Sequence, residues 1–133
     1  MMATLIPTLS LTSDDATSDT LDFTVIDSLS IKAPSANLAT VIADQTGANN
    51  IVVPLTGGTI TYFFCRHTGT TDGSTTTSQL VDVEETGDAA FARLGPGEWM
   101  FLPFCHHEGN VGIQFQVAHA SNVQMEYAYW TKA

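Results

Sequence analysis

Two short clusters hold the residue types that metal or nucleophile chemistry needs. They are Cys65-x-His67 and Cys105-His106-His107-Glu108, with His119 as a further imidazole. Zinc takes four thiolate or imidazole ligands in a tetrahedron. On a strand, residues two apart share a face, so Cys65 and His67 point the same way, and Cys105 and His107 could do so too. If the two strands were neighbours, a site of two cysteines and two histidines would be geometrically possible. The spacings, however, match no zinc motif. The competing reading has both cysteines as small buried hydrophobes and the histidine pair in a turn closed by Gly109. A cysteine nucleophile beside a histidine base would lack both an oxyanion hole and an acid to orient the base. Adjacent histidines point to opposite faces of a strand, which spoils a cupin-like chelate. Asp82, Glu84, Glu85 and Asp88 lack the spacing of a calcium loop, and phosphate loops and dinucleotide fingerprints are absent. The expectation is a protein with no catalytic residue, no metal and no other cofactor, its two cysteines reduced.

The elements that would position these residues read as β-strands. Leu21–Lys32 has the clearest alternation: Leu21, Phe23, Val25, Leu29 and Ile31 against mostly polar even positions. Period two puts the odd set on one buried face. Asp27 interrupts that face, which predicts a bulge or two shorter strands. Further strands are expected at Leu38–Ala43, Ile51–Leu55, Thr59–His67, Gln79–Glu84, Ala89–Leu94, Glu98–Phe104, Val111–Val117 and Val123–Trp130. Turn signals separate them: Gly47-Ala48-Asn49-Asn50, the Gly57-Gly58 hairpin signal, and Gly95-Pro96-Gly97, which suits a type II turn with φ > 0 at Gly97. Residues 68–78 form a polar loop without an apolar anchor. A single helical turn is conceivable near Ser13–Ser18. About nine short strands with almost no helix predict an all-β fold, an antiparallel β-sandwich of jelly-roll type.

Composition narrows the function classes. One domain is expected for 133 residues, and a chain of this length buries a core without disulfides or metals. Charged residues make up 14% against 44% hydrophobic, and the formal net charge is -10, with Lys32, Arg66, Arg93 and Lys132 the basic residues. That balance repels phosphate backbones and anionic membrane surfaces, which argues against nucleic-acid and membrane partners. It fits either plain solubility or steering towards a basic partner surface. No stretch approaches the roughly 18 apolar residues that a membrane helix needs. The start, Met1-Met2-Ala3-Thr4-Leu5-Ile6-Pro7, has no basic region ahead of an apolar run, so no secretory signal is expected and a reducing cytoplasm is the default setting.

Residues 1–20 differ from the remainder, which is expected to be a single β-sandwich domain over 21–133. Ser, Thr and Asp dominate, with Leu5, Ile6, Leu9 and Leu11 scattered among them. Two readings compete: a frayed terminus, or an extended arm that orders on a partner with those four residues as anchors. At the other end, Val123, Met125, Tyr127 and Tyr129 share one face of the last strand, and Trp130 sits on the other. Trp130 is therefore either an exposed contact residue or the cover of one end of the fold. Tyr62, Trp99 and Trp130, with nearby carboxylates, would make a carbohydrate-binding face if they shared one surface.

The run Val83–Pro103, through Leu94-Gly95-Pro96-Gly97-Glu98-Trp99 and Phe101-Leu102-Pro103, resembles small virion proteins of tailed bacteriophages. In those, a run of leucine, turn, Gly-Glu, aromatic, Phe and Pro precedes a final strand ending Val-x-x-Glu-Tyr. Val123, Glu126 and Tyr127 echo that ending, and Tyr62–Phe64 followed by Thr68–Thr71 is similar as well. The resemblance covers residues 50–130. The Cys-His-His-Glu segment departs from the pattern. The resemblance implies a non-enzymatic virion protein, assembled in the host cytoplasm, that decorates (cements) a capsid or belongs to a related head or tail component. Its partner would be the major capsid protein or another virion protein. A homo-oligomer, a trimer above all, suits the local threefold positions of a shell lattice. The competing class is a carbohydrate-binding β-sandwich module of a phage tail or fibre.

Overall fold

The period-two patterning resolves into twelve strands, with no helix, among the residues that the computed structural model describes: 2–32, 38–46, 51–54, 60–105 and 112–133. The strands are β1 Met2–Leu5, β2 Thr8–Ser13, β3 Leu21–Ile26, β4 Leu29–Lys32, β5 Ala39–Ala43, β6 Ile51–Pro54, β7 Ile60–His67, β8 Val81–Glu85, β9 Ala90–Leu94, β10 Trp99–Cys105, β11 Gly112–Val117 and β12 Val123–Thr131. Each of the nine expected segments holds a strand. The larger number comes from a break at Asp27-Ser28, which divides one segment into β3 and β4, and from β1 and β2, which form where a frayed terminus competed with an arm. The expected turns at 47–50 and 57–58 lie outside the described residues. Near Ser13–Ser18 there is no helical turn: the Ser13 hydroxyl accepts from the backbone N–H groups of Asp15 and Ala16.

Eight strands build the body as two antiparallel sheets, ordered β10-β7-β12-β5 and β6-β11-β8-β9. The pairing is nested. β8 pairs with β9, β7 with β10, β6 with β11, and β5 with β12. A long hairpin folded back on itself and rolled across two layers gives this order, which is that of a jelly roll. Alternation along each strand fills the space between the layers. Phe63, Cys65 and His67 point inward from β7, Val81 and Val83 from β8, Ile113, Phe115 and Val117 from β11, and Val123 and Met125 from β12. Phe63 and Phe115 join the sheets, with ring centroids 6.3 Å apart and planes tilted by 33°.

The expectation that Leu21, Phe23 and Val25 face the core is corrected by their pairing. β3 pairs with β2, not with a body strand, and Phe23 and Val25 are exposed. The β1–β4 and β2–β3 ladders share one register, so residues 2–32 form one long hairpin. It is interrupted at Ile6-Pro7 and Asp27-Ser28, where Pro7 has no N–H to offer a ladder and the Asp27 N–H donates to the Pro7 carbonyl at 3.2 Å. The foot of this arm is fixed to the body. Ile31 is buried and bridges Lys132, and the Ala133 N–H donates to the Ser30 carbonyl.

Candidate assembly surface

The arm's distal half is built from cross-strand pairs. Leu9 stands opposite Val25, Leu11 opposite Phe23, and Ser13 opposite Leu21. Because strand side chains alternate, these pairs share one face. The other face carries Thr8 opposite Ile26, Ser10 opposite Thr24, and Thr12 opposite Asp22. An isolated two-stranded hairpin is marginal in water, so an apolar face on one calls for a cover. Here Leu9, Leu11, Phe23 and Val25 all remain substantially exposed.

The body's outer face on the β10-β7-β12-β5 sheet is aromatic. Register aligns Pro103, Tyr62 and Trp130 in one row, Phe101, Phe64 and Ala128 in the next, and Trp99, Arg66 and Glu126 in a third. Tyr62 and Phe101 stack at 6.3 Å with planes 10° apart. Tyr62 is only 6% exposed, whereas Trp99 is 53% exposed. The turn before β10 positions Trp99. Pro96 and Gly97 occupy its centre, Gly97 has φ +81°, and the Glu98 N–H donates to the Gly95 carbonyl at 3.0 Å. The Glu98 carboxylate accepts from the Gly95 N–H at 2.6 Å. Exchanged bonds between His67 and residues 97 and 98 tie this turn to β7.

Arm and aromatic face meet at an apolar groove of about 520 Å³, lined on one side by Pro7, Leu9, Phe23 and Val25 and on the other by Tyr62, Trp99, Phe101 and Pro103. Of the anchors anticipated in the arm, Leu9 and Leu11 lie together on the apolar face. Leu5 is half-buried at the foot opposite Leu29, and Ile6 is exposed at the break. Trp130 is half-buried on the outer face beside Tyr62. Phe23, Val25 and Phe101 were not singled out from the sequence, because their alternation is indistinguishable from that of core strands. The density of aspartates between Asp14 and Asp27 was the available sign that this segment stands in solvent.

The cysteine and histidine clusters separate. Cys65 is opposite Met100, and Cys105 is opposite Ile60. Five rungs at about 3.3 Å per residue put the two cysteines roughly 16 Å apart along the sheet, well beyond disulfide reach. Cys65 lies in the core, where burial pushes its thiol up to about 12, so it is no thiolate at neutral pH. Both ring nitrogens of the buried His67 are taken. Nδ1 accepts from the Gly69 N–H at 2.9 Å, so Nε2 carries the proton and donates to the Gln79 carbonyl at 2.8 Å. His67 therefore holds the start of the 68–78 loop in place. His106, His107 and Glu108 lie outside the described residues, and His119 is exposed. Among the described residues, no group of three or more His, Cys, Asp or Glu side chains is arranged to hold a metal ion, and no helix is long and apolar enough to cross a membrane.

Fold and surface together define a jelly-roll body bearing a two-stranded arm whose apolar face meets the body across an open groove and stays partly exposed. Comparison of the sequence with protein-family models finds no match, and comparison with curated proteins finds no significant similarity.

Proposed function

We propose that this protein is a non-enzymatic viral structural component that decorates and stabilises a bacteriophage capsid, using its N-terminal arm to grip neighbouring subunits. The observation that carries this reading is the arm itself. It is an ordered hairpin with Leu9, Leu11, Phe23 and Val25 on one exposed face. Such a face belongs to an element that is completed by another chain. The jelly roll is a recurrent fold of viral shells, which raises the prior without deciding the function. The resemblance of Val83–Pro103 and Val123–Tyr127 to phage virion proteins points the same way. The test is to incubate the purified protein with mature capsids assembled without it and image them by cryo-EM. Regular density at repeated lattice positions is expected.

A second reading is a carbohydrate-binding module of a tail or fibre. It is favoured by one observation: Tyr62, Trp99 and Trp130 do share one sheet face. Sugar rings stack on open aromatic surfaces, and of these three Tyr62 is closed by its own neighbours. Density confined to the tail tip, or glycan binding lost in Trp99→Ala, would put this reading first.

A further inference from the structure

We infer that His67 is a pH-sensitive latch: its neutral ring clasps the base of the 68–78 loop, and a second proton on the ring releases Gly69 and Thr77 while the β body stays folded. His67 ends β7 and is fully buried. Its Nδ1 accepts from the Gly69 N–H at 2.9 Å, and its Nε2 donates to the Gln79 carbonyl at 2.8 Å. One ring thus holds the chain near the start of the loop and just past its end. Gly69 passes the clasp on, because its carbonyl accepts from the Thr77 N–H at 3.0 Å.

The clasp needs the neutral ring. An imidazolium carries a proton on each nitrogen and can only donate. Nδ1–H and the Gly69 N–H would then point at one another, whereas the charged ring would keep its bond to the Gln79 carbonyl. No charge inside the fold offsets the new one. The inward residues of the surrounding strands are Val81 and Val83 on β8, Val117 on β11, and Val123 and Met125 on β12, with Met125 directly opposite His67. Cys65, on the same face of β7, is held as a neutral thiol by burial. The charged groups on adjoining segments are engaged or face outward. Glu98 accepts from the Gly95 N–H, Asp72 accepts from the Ser74 and Thr75 N–H groups, and Asp82 pairs with Arg93. Arg66 and Glu126 stand opposite one another on the outer face. A buried charge without a partner is costly, so protonation favours a state in which water reaches the ring.

The movement is confined by what surrounds it. Thr68 donates through its N–H and its hydroxyl to the Gln124 carbonyl, and the Gln124 N–H donates to the Thr70 carbonyl. Gly69 lies between these two anchors with φ +80°, and a glycine is free to rotate there. That rotation breaks the bonds to His67 and Thr77 together. Gly69 also rests on the turn that positions Trp99, since an added Cβ would lie 3.7 Å from the Pro96 Cβ. The loop base needs the neutral ring, so the latch is closed at high pH and opens as pH falls. This goes beyond the capsid reading and is tested without capsids.

The experiment follows the His67 ring and the backbone amides of the full chain by NMR between pH 7.5 and 4.5, with hydrogen exchange corrected for its intrinsic pH dependence. The Gly69 and Thr77 amides are expected to shift with the midpoint of the His67 ring, and their protection to fall about tenfold. The Phe63 and Phe115 amides are expected to keep theirs. Asp72, with a pKa of about 2, stays ionised throughout. His67→Asn offers an acceptor oxygen near the Nδ1 position and does not titrate; with circular dichroism confirming its fold, it is expected to protect Gly69 equally at both ends of the range. A ring that stays neutral down to pH 4.5, Gly69 and Thr77 amides indifferent to its titration, or protection lost from the whole body at once would each overturn the latch. So would an acid loss of protection that persists in folded His67→Asn.

Discussion

Leu11 and Phe23 face one another across the arm hairpin, and each leaves nearly half its surface in water, 45% and 46%. Cross-strand apolar pairs of this kind support a sheet when a second layer covers them. Here the facing layer is partial: Phe23 looks onto the body only across an open groove, and Leu11 lies outside that groove's lining. Replacing either residue should therefore leave the body's stability almost untouched. Leu11→Asn or Phe23→Asn is expected to change the unfolding free energy by no more than about 0.5 kcal/mol. Phe115→Ala, which removes a fully buried ring between the sheets, is expected to cost about 3–5 kcal/mol. Urea unfolding of the three variants checks the contrast.

Gly97 adopts φ +81°, and an added side chain would meet nothing within 4 Å. The whole penalty of a substitution is thus conformational. Gly97→Val should cost about 1 kcal/mol or more, while Gly97→Asn should cost clearly less, because asparagine tolerates the left-handed region. Thermal unfolding of the pair separates backbone strain from lost packing.

Cys65 should be inert in the folded protein. A thiol held near 12 by burial is expected to resist alkylation at pH 8 until denaturant is added. The shift also has a sign for stability. Its folded pKa lies above the unfolded value of about 8.5, so stability is fully present below that pH and falls as pH rises through 8.5 towards 12, by at most about 1.4 kcal/mol per pH unit from this group. Mass-spectrometric alkylation with and without urea, together with unfolding curves between pH 8 and 10, checks both statements.

The 68–78 loop depends on Asp72. Its carboxylate accepts from the backbone N–H groups of Thr75 at 2.8 Å and Ser74 at 2.9 Å, and these bonds lower its pKa to about 2. A folded pKa below the unfolded value of about 3.9 means that the stabilisation is present above pH 4 and is lost as pH falls through about 2. The Ser74 and Thr75 amide resonances are expected to shift with that low midpoint, and Asp72→Asn should abolish the titration.

Much of the body was legible in the sequence, because alternation and turn residues there agree with the packing. Ile113, Phe115 and Val117 point inward as their spacing predicts, and Gly97 takes the backbone conformation that its turn demands. The arm was not legible, for a physical reason. Period two states that Leu21, Phe23 and Val25 share a face, but not which surface covers that face. The same limit applies to Cys65 and His67. Their common face was predictable, but its position in the core depends on the pairing of β7 with β10 and β12. The aromatic outer face is likewise a product of register, which aligns Tyr62 with Pro103 and Trp130 only once the strands are paired.

The central claim is that the arm is the gripping element of a capsid-decorating protein. The most direct measurement compares the full chain with a variant in which residues 8–26 are replaced by an Asn-Gly turn. That variant keeps β1, β4 and the buried Ile31 at the foot. Both proteins are co-sedimented with capsids assembled without them, and the bound fraction is imaged by cryo-EM. The account predicts that the shortened protein folds with the same β-sheet circular dichroism and that its capsid binding falls at least tenfold, while the full chain occupies regular lattice positions. Equal binding by the two proteins, or no capsid binding by the full chain, would contradict it.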